Sequence, residues 1–214
     1  LYDAPHKRGV RLNTLKCDRD TLAAALPFPL VQTPFSPLSY YAPEDVKMAS
    51  LPLYHAGAFY SQEPSASSAV TLLAPEPGDK VLDLCAAPGG KSTQLAGKLQ
   101  GRGLLVCNEI NAKRAKILAG NIERLGIANA LVLNEHPKKL GARFEGYFDK
   151  ILVDAPCSGE GMFRKDEGAI RDWSMENVTL CWQRQRSILS DVWPALKPGG
   201  LLIYSTCTFN HFED

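Results

Sequence analysis

From Val81 onward, short apolar runs alternate with helical patterns. Lys80–Cys85 (KVLDLC), Leu104–Asn108 (LLVCN), Ala130–Asn134 (ALVLN), Lys150–Asp154 (KILVD) and Leu201–Ser205 (LLIYS) are nearly continuous in apolar residues. Such runs predict strands buried on both faces, as in a parallel sheet. Between them, KSTQLAGKLQ predicts a helix that stops at Gly101. Asn111–Leu125 places Ala115, Leu118, Ile122 and Leu125 on one face, with Gly126 as its stop. Ser174 can cap a further helix carrying Cys181, Ile188, Leu189, Val192 and Leu196, ended by Pro198-Gly199-Gly200. Trp182 and Trp193 fit the core face of that helix. Strands alternating with helices require right-handed crossovers, so the expected class is α/β with an open, doubly wound, Rossmann-like sheet.

The first 80 residues follow another pattern. Val10–Leu15 (VRLNTL) alternates like a strand, and Asp18 or Asp20 can cap the short helix TLAAAL. Pro27 to Pro43 holds five prolines and is expected to be an extended connector. Leu51–Tyr60 is apolar and aromatic, and Ser61–Ala74 is expected as a helix beside the sheet. This divides the chain into a small α+β appendage with its connector, 1–48, and a sheet-bearing portion, 49–214.

Composition narrows the class. Lys and Arg number 24 against 23 Asp and Glu, a net charge of +1, with 45% hydrophobic and 22% charged residues. That balance disfavours a general polyanion binder, so any nucleic-acid affinity must come from local patches. No run of about 18 apolar residues suggests a membrane span, and no signal-peptide pattern opens the chain. The six cysteines are dispersed without a Cys-x-x-Cys pair, and the four histidines lack ligand spacing. Reduced thiols in a cytoplasmic protein, with neither disulfide framework nor metal, are the expectation. The chain opens on Leu1 and stops at Asp214 just past a strong strand, which suggests a piece of something longer.

Candidate chemistry gathers at strand ends. Cys85-Ala86-Ala87-Pro88-Gly89-Gly90-Lys91-Ser92 follows the first strand, and its small residues let a ligand approach the backbone at a helix N-terminus. Gly90-Lys91-Ser92 matches the end of a P-loop, but Cys85 stands where the first glycine belongs. A dinucleotide fingerprint is absent too. Glu109, at the end of the second strand, lies about 20 residues on, the spacing of an acid that takes ribose hydroxyls. The pair fits an adenosine-bearing cofactor without a pyrophosphate. The fourth strand leads into Asp154-Ala155-Pro156-Cys157 and the fifth into Ser205-Thr206-Cys207, so two cysteines from adjacent strands face one crevice. A thiol near pKa 8.5 becomes a nucleophile when positive neighbours favour the thiolate, and Lys91 with nearby helix N-termini could supply that field.

VLDLCAAPGGKS, Glu109, DAPCSGEGMFRKD and STCTF, with QEPSA and the early RGVRLNTLK, resemble the motif set of the Sun-type (Nol/Nop/Sun) RNA 5-methylcytosine methyltransferases. SGEGMFRKD is closest to the bacterial rRNA-modifying branch. The likeness spans nearly the whole chain. It implies an S-adenosylmethionine-dependent enzyme that forms 5-methylcytosine through a cysteine–carbon-6 adduct, acting on ribosomal RNA in a bacterial cytoplasm as a monomer. By resemblance, Cys207 is the nucleophile, Cys157 assists product release, and Asp154 and Lys91 line the base site. The Cys85–Lys91 loop and Glu109 hold the cofactor. The local setting of Cys157 would equally suit a nucleophile, so the choice of Cys207 rests on the resemblance. The segment Asn134-Glu135-His136-Pro137 departs from the family, which often has an Asp near the adenine. Asn134 or His136 is then the candidate contact, or the backbone alone makes it. The resemblance also implies two further strands beyond Ser205, without which Leu201–Ser205 would be an exposed sheet edge.

A paired cytosine cannot be attacked at carbon-6, so the substrate must be single-stranded or flipped out. Lys7, Arg8 and Arg11 in the appendage, expected as part of an RNA-binding region, are candidate phosphate contacts. Arg164, Lys165, Trp173, Trp182, Arg184 and Arg186 are further candidates on the catalytic side. Alternatives are a tRNA substrate, a non-catalytic ribosome-assembly factor of the same fold, and a nicotinamide-dependent oxidoreductase.

Overall fold

The computed structural model describes residues 7–213, and two sheets form in succession along the chain. The first is built from β1 (Arg8–Leu12), β2 (Val31–Gln32), β3 (Ser39–Ala42) and β4 (Phe59–Ser61), antiparallel in the order β2-β3-β1-β4. Helix α1 (Arg19–Ala25) packs on it through buried Leu22, and Asp18 caps α1 by accepting from the Thr21 N–H at 2.8 Å. Pro27–Pro43, expected as a connector, supplies β2 and β3. Its prolines all fall outside the two strands, where no ladder N–H is required. The short α2 (Pro52–His55) precedes β4, so this sheet draws one strand from beyond residue 48. The helix expected over Ser61–Ala74 is shorter. Ser61 closes β4, Pro64–Ser67 form a 3-10 turn, and only α3 (Ser68–Leu73) is α-helical.

The second sheet joins β5 (Lys80–Asp83), β6 (Leu104–Asn108), β7 (Ala130–Leu133), β8 (Phe148–Asp154) and β9 (Leu196–Ser205). Its order is β7-β6-β5-β8-β9 and every pairing is parallel. Connections run through α4 (Gly90–Leu99), α5 (Ala112–Arg124), α6 (Pro137–Arg143), α7 (Glu167–Asp172) and α8 (Met175–Val192). Strand residues alternate between two cores, as the pleat demands. Val81, Leu105, Cys107 and Leu152 pack with Leu95, Leu99, Leu118, Ile122 and Leu125 on one face. Leu82, Val106, Ile151 and Val153 pack with Leu140, Ile188 and Val192 on the other. The predicted α5 face is thus buried as expected.

Helix α8 is capped by Ser174, whose side chain accepts from the Asn177 N–H at 3.1 Å, but it does not reach Leu196. Pro194 disfavours helix at the residue before it, a 3-10 turn Trp193–Ala195 closes the segment, and Leu196 opens β9. Pro198-Gly199-Gly200 therefore lies within β9, beside an irregular register opposite Phe148–Lys150. Trp193 is 63% exposed, not on a core face. Trp182 is half-buried, with the Arg186 guanidinium 5.2 Å from its ring centroid.

The two sheets are locked together by polar contacts. Asn13 Nδ2–H donates to Gly57 O (2.8 Å) and Leu125 O (2.9 Å), and Arg124 Nη1–H donates to Tyr54 O (2.6 Å). Arg11 is buried between the sheets. Its guanidinium donates to Gln62 Oε1, Gly90 O and Thr93 Oγ1, and lies 5.4 Å from the Tyr60 ring centroid. No helix among the described residues is long and apolar enough to cross a membrane.

Candidate active site

The carboxyl ends of β5 and β8 meet where the strand order reverses, the place at which an open α/β sheet leaves a crevice. A cleft of about 330 Å³ lies there. Tyr60 and Gln62 wall it from the first sheet, Asp83, Cys85–Pro88, Gly90 and Lys91 from the β5–α4 turn, and Asp154 and Met162 from beyond β8.

The β5–α4 turn is held from behind. Arg114 Nη2–H donates to Ala87 O (2.7 Å), Asn121 Nδ2–H to Pro88 O (2.8 Å), and the Ala86 N–H to Asn108 O (2.8 Å). Gly89 adopts φ 113° at the amino end of α4, and a Cβ there would also meet Leu118 Cδ1 at 3.2 Å. Beneath the turn sits a carboxylate the sequence reading did not single out. Asp83 is fully buried, accepts from Ser92 Oγ–H at 2.6 Å through Oδ2, and has no partner at Oδ1 among the described residues. Burial pushes its carboxyl up to about 7, while the Ser92 hydrogen bond pulls the other way. Its sequence signal was an acid inside an apolar strand run.

Glu109 lies just past β6, 3% exposed, its Oε1 accepting from the Asn111 N–H (2.9 Å) and its Oε2 3.4 Å from Arg114 Nη1. Asn134 Nδ2–H donates to Glu109 O (2.6 Å) and Ile110 O (2.9 Å), which steadies that turn. His136 caps α6, its ring Nδ1 accepting from the Lys138 N–H at 3.3 Å. None of Glu109, Asn134 and His136 belongs to the cleft wall.

On the opposite side, Asp154 ends β8 beside Ser205 at the end of β9. Lys91 Nζ lies 2.6 Å from Asp154 Oδ2, and Ser205 Oγ–H donates to Oδ1 at 2.8 Å, so the carboxylate is fixed at both oxygens. The two cysteine turns come together: Cys157 Sγ and Cys207 Sγ are 3.2 Å apart, and the Cys207 N–H points at Cys157 Sγ (3.3 Å). Cys207 is exposed and Cys157 half-buried. The hydrogen bond from the Cys157 thiol is the main cause that draws the Cys207 thiol down to about 7. Lys91 acts in the same direction, burial and Asp154 in the other. The same hydrogen bond, with burial, pushes Cys157 up. Burial raises the thiols of Cys17, Cys85 (to about 12), Cys107 and Cys181. Among the described residues Cys207 is therefore the one cysteine with a lowered pKa.

A polar network under these turns was not foreseen. Buried Glu213 Oε2 accepts from the Ser158 N–H (3.0 Å) and from Gln185 Nε2–H (2.8 Å), while Gln185 also donates to Pro156 O (3.0 Å). Ser158 and Thr208 hydroxyls meet at 2.9 Å. The expected RNA contacts divide. Arg11 is buried and spent on protein acceptors, so it is unavailable to phosphate. Arg8 donates to Glu44 O at 2.8 Å, whereas Lys7, Arg164, Lys165, Arg184 and Arg186 are exposed. Trp173 is half-buried. No group of three or more His, Cys, Asp or Glu that could hold a metal ion occurs among the described residues.

Residues 70–214 match the family described as 16S rRNA methyltransferase RsmB/F. The chain belongs to that family. Residues 1–64 match the N-terminal domain of 16S rRNA methyltransferase RsmF. The chain is 40% identical over 219 residues to ribosomal RNA small subunit methyltransferase F of Aliivibrio fischeri (strain MJ11), covering 98% of this chain and 46% of the relative. Its namesake from Pectobacterium carotovorum subsp. carotovorum (strain PC1) is 39% identical over 220 residues, covering 98% and 45%. The chain thus spans about half the length of the curated relatives it matches. Among solved structures, a methyltransferase homolog protein from Pyrococcus horikoshii superposes with TM-score 0.87 at 31% identity, covering 100% of this chain and 68% of that one. NSun6 from Pyrococcus horikoshii has the same fold, with TM-score 0.86 at 20% identity over 100% of this chain and 79% of its own. The Rossmann-like methyltransferase fold expected from the sequence is therefore present, and nothing in the turn residues favours a nicotinamide cofactor.

Proposed function

We propose that the chain carries the catalytic centre of an S-adenosylmethionine-dependent methyltransferase that forms 5-methylcytosine in small-subunit ribosomal RNA, in a bacterial cytoplasm. The observation that carries this reading is the pair of thiols 3.2 Å apart near the Lys91–Asp154 ion pair, which lines a cleft also walled by the β5–α4 turn. The cleft suits the cofactor. A Cβ at Gly90 would meet Gln62 Nε2 at 3.2 Å, so glycine lets the cleft wall close on the amino end of α4. Asp83 Oδ1 is a buried acceptor without a partner among the described residues. The Cys85–Lys91 backbone would hold the cofactor, and Glu109, already oriented by Asn111 and Arg114, would take its ribose hydroxyls. Bound there, S-adenosylmethionine supplies an electrophilic methyl group.

Cytosine carbon-5 is a poor nucleophile, and the protein's task is to enrich it. Addition of the Cys207 sulfur to carbon-6 breaks the 5,6 double bond and makes carbon-5 electron-rich. Asp154, held by Lys91 and Ser205, accepts from the exocyclic amine and steadies positive charge at the ring nitrogen. After methylation, loss of the carbon-5 proton and cleavage of the carbon-6–sulfur bond restore the ring and return the thiolate. The thiol pair times these events. While Cys207 is a thiolate, the hydrogen bond keeps the proton on Cys157. Once the Cys207 sulfur is bonded to carbon, that charge is gone, so Cys157 can give its own proton to water and its thiolate then takes the carbon-5 proton.

The test is transfer of tritiated methyl from S-adenosylmethionine to hypomodified small-subunit rRNA by the full-length protein, followed by mapping of the label. Label recovered as 5-methylcytosine in 16S rRNA is expected. Label in tRNA alone would replace the substrate, and no label in either RNA would remove the reading.

A further inference from the structure

We propose that Glu160 is a positioning residue that sets the reach of Cys207 and its alignment with Cys157 by clamping the turn on which Cys207 sits; this rests on the reading of Cys207 as nucleophile. Glu160 opens the 3-10 turn Glu160–Met162, which follows the Cys157 turn. Its two carboxylate oxygens are used separately. Oε1 accepts from the Trp173 indole N–H at 3.1 Å, and Oε2 accepts from the backbone N–H of Phe209 at 3.1 Å. Next to it, the Gly161 N–H donates to the Cys207 carbonyl at 2.8 Å. A Cβ on Gly161 would lie 2.7 Å from that carbonyl oxygen, so the approach requires glycine. Residues 160 and 161 therefore hold the Cys207 carbonyl and the Phe209 amide at once, bracketing the nucleophile's peptide. Trp173, from the segment between α7 and α8, braces the clamp from behind.

The consequence runs through geometry to acidity. The Cys207 thiol is surrounded by the Cys157 thiol from the β8 turn, by Asp154 at the end of β8 and by Lys91 from α4. The Cys157 hydrogen bond needs the two turns in register, and Glu160 holds the far side of the Cys207 turn in that register, beside the Gly161–Cys207 and Ser158–Thr208 hydrogen bonds. Without the clamp, Cys207 drifts from Cys157, loses that donor, and its acidity returns toward an ordinary thiol near 8.5. A displacement of about 1 Å at a reacting atom also costs about 100-fold in rate.

The experiment measures the pH dependence of iodoacetamide labelling of the Cys207 peptide by mass spectrometry, in the full-length protein without RNA or cofactor. Methyl transfer and melting temperature are measured in parallel. For Glu160→Ala the labelling midpoint is expected to rise by about one pH unit or more, with kcat down about 100-fold and cofactor Kd unchanged. Glu160→Gln keeps one acceptor oxygen and sets an amide N–H₂ against one donor, so about a 10-fold loss with a smaller midpoint shift is expected. Trp173→Phe removes the brace alone and falls nearest to wild type. If Glu160→Ala does not fold, Glu160→Gln decides. A folded variant whose midpoint and kcat match wild type overturns the inference. Wild-type protein that labels normally yet methylates no RNA instead overturns the functional reading on which it rests.

Discussion

Arg11→Met separates a structural arginine from an RNA-binding one. Arg11 lies on a strand of the first sheet, and its charge alone made it a candidate phosphate contact. In the fold it is 3% exposed, and its side chain reaches Gln62, the Gly90 carbonyl and Thr93. Burial pushes its pKa down to about 9, so the guanidinium remains a cation at neutral pH. Methionine keeps the aliphatic stem and removes every donor. Gly90 O retains the Thr93 hydroxyl at 3.2 Å, but Gln62 Oε1 loses its charged donor. At about 1.5–3 kcal/mol for a hydrogen bond to a charged group, offset by the charge no longer buried, a net loss of about 2–4 kcal/mol follows. For a chain of this size that lowers Tm by about 10 °C. Because Gln62 and Gly90 wall the cleft, cofactor Kd should also rise about 3- to 10-fold. Differential scanning calorimetry and cofactor titration read both effects. An unchanged Tm, with RNA affinity reduced and its salt slope smaller by about one, would refute the reasoning and restore Arg11 as a phosphate contact.

The lowered Cys207 thiol makes kcat/KM rise with pH through a midpoint near 7, since the thiolate is the attacking form. Cys157→Ala, which removes the donor, should move the thiol midpoint upward in labelling experiments; no movement would deny the shared proton. Asp83 has its folded carboxyl raised from 3.8 to about 7, so folding favours the protonated acid. Its contribution is present below about 4 and is lost as pH rises through about 7. Asp83→Asn should therefore flatten the decline of stability over that window, as followed by urea unfolding. A decline as steep as wild type would place its origin elsewhere.

What the sequence disclosed depended on whether local pattern and tertiary environment agreed. The strands of the parallel sheet were visible because burial on both faces makes their apolar runs continuous, and Ala115, Leu118, Ile122 and Leu125 met the core that their spacing implied. The thiol pair was visible because strand ends in such a sheet face one crevice. Short strands β2 and β3 were hidden by prolines that sit beside them, and they exist through pairing with each other and with β1. Arg11 was misjudged because charge alone does not reveal a buried set of acceptors. Trp193 was placed on a helix that Pro194 had already ended. Glu160 stands inside the SGEGMFRKD motif, but neither its role nor that of Glu213 was legible, since their partners, Phe209 at one site and Ser158 and Gln185 at the other, lie on distant segments.

The division of labour between the two thiols is tested most directly by denaturing-gel detection of a covalent protein–RNA adduct with hypomodified rRNA and cofactor. Cys157→Ala is predicted to accumulate the adduct, because the Cys207–carbon-6 bond forms but is not released, while Cys207→Ala forms none. An adduct in Cys207→Ala, or its absence from Cys157→Ala alongside normal turnover, would contradict the assignment.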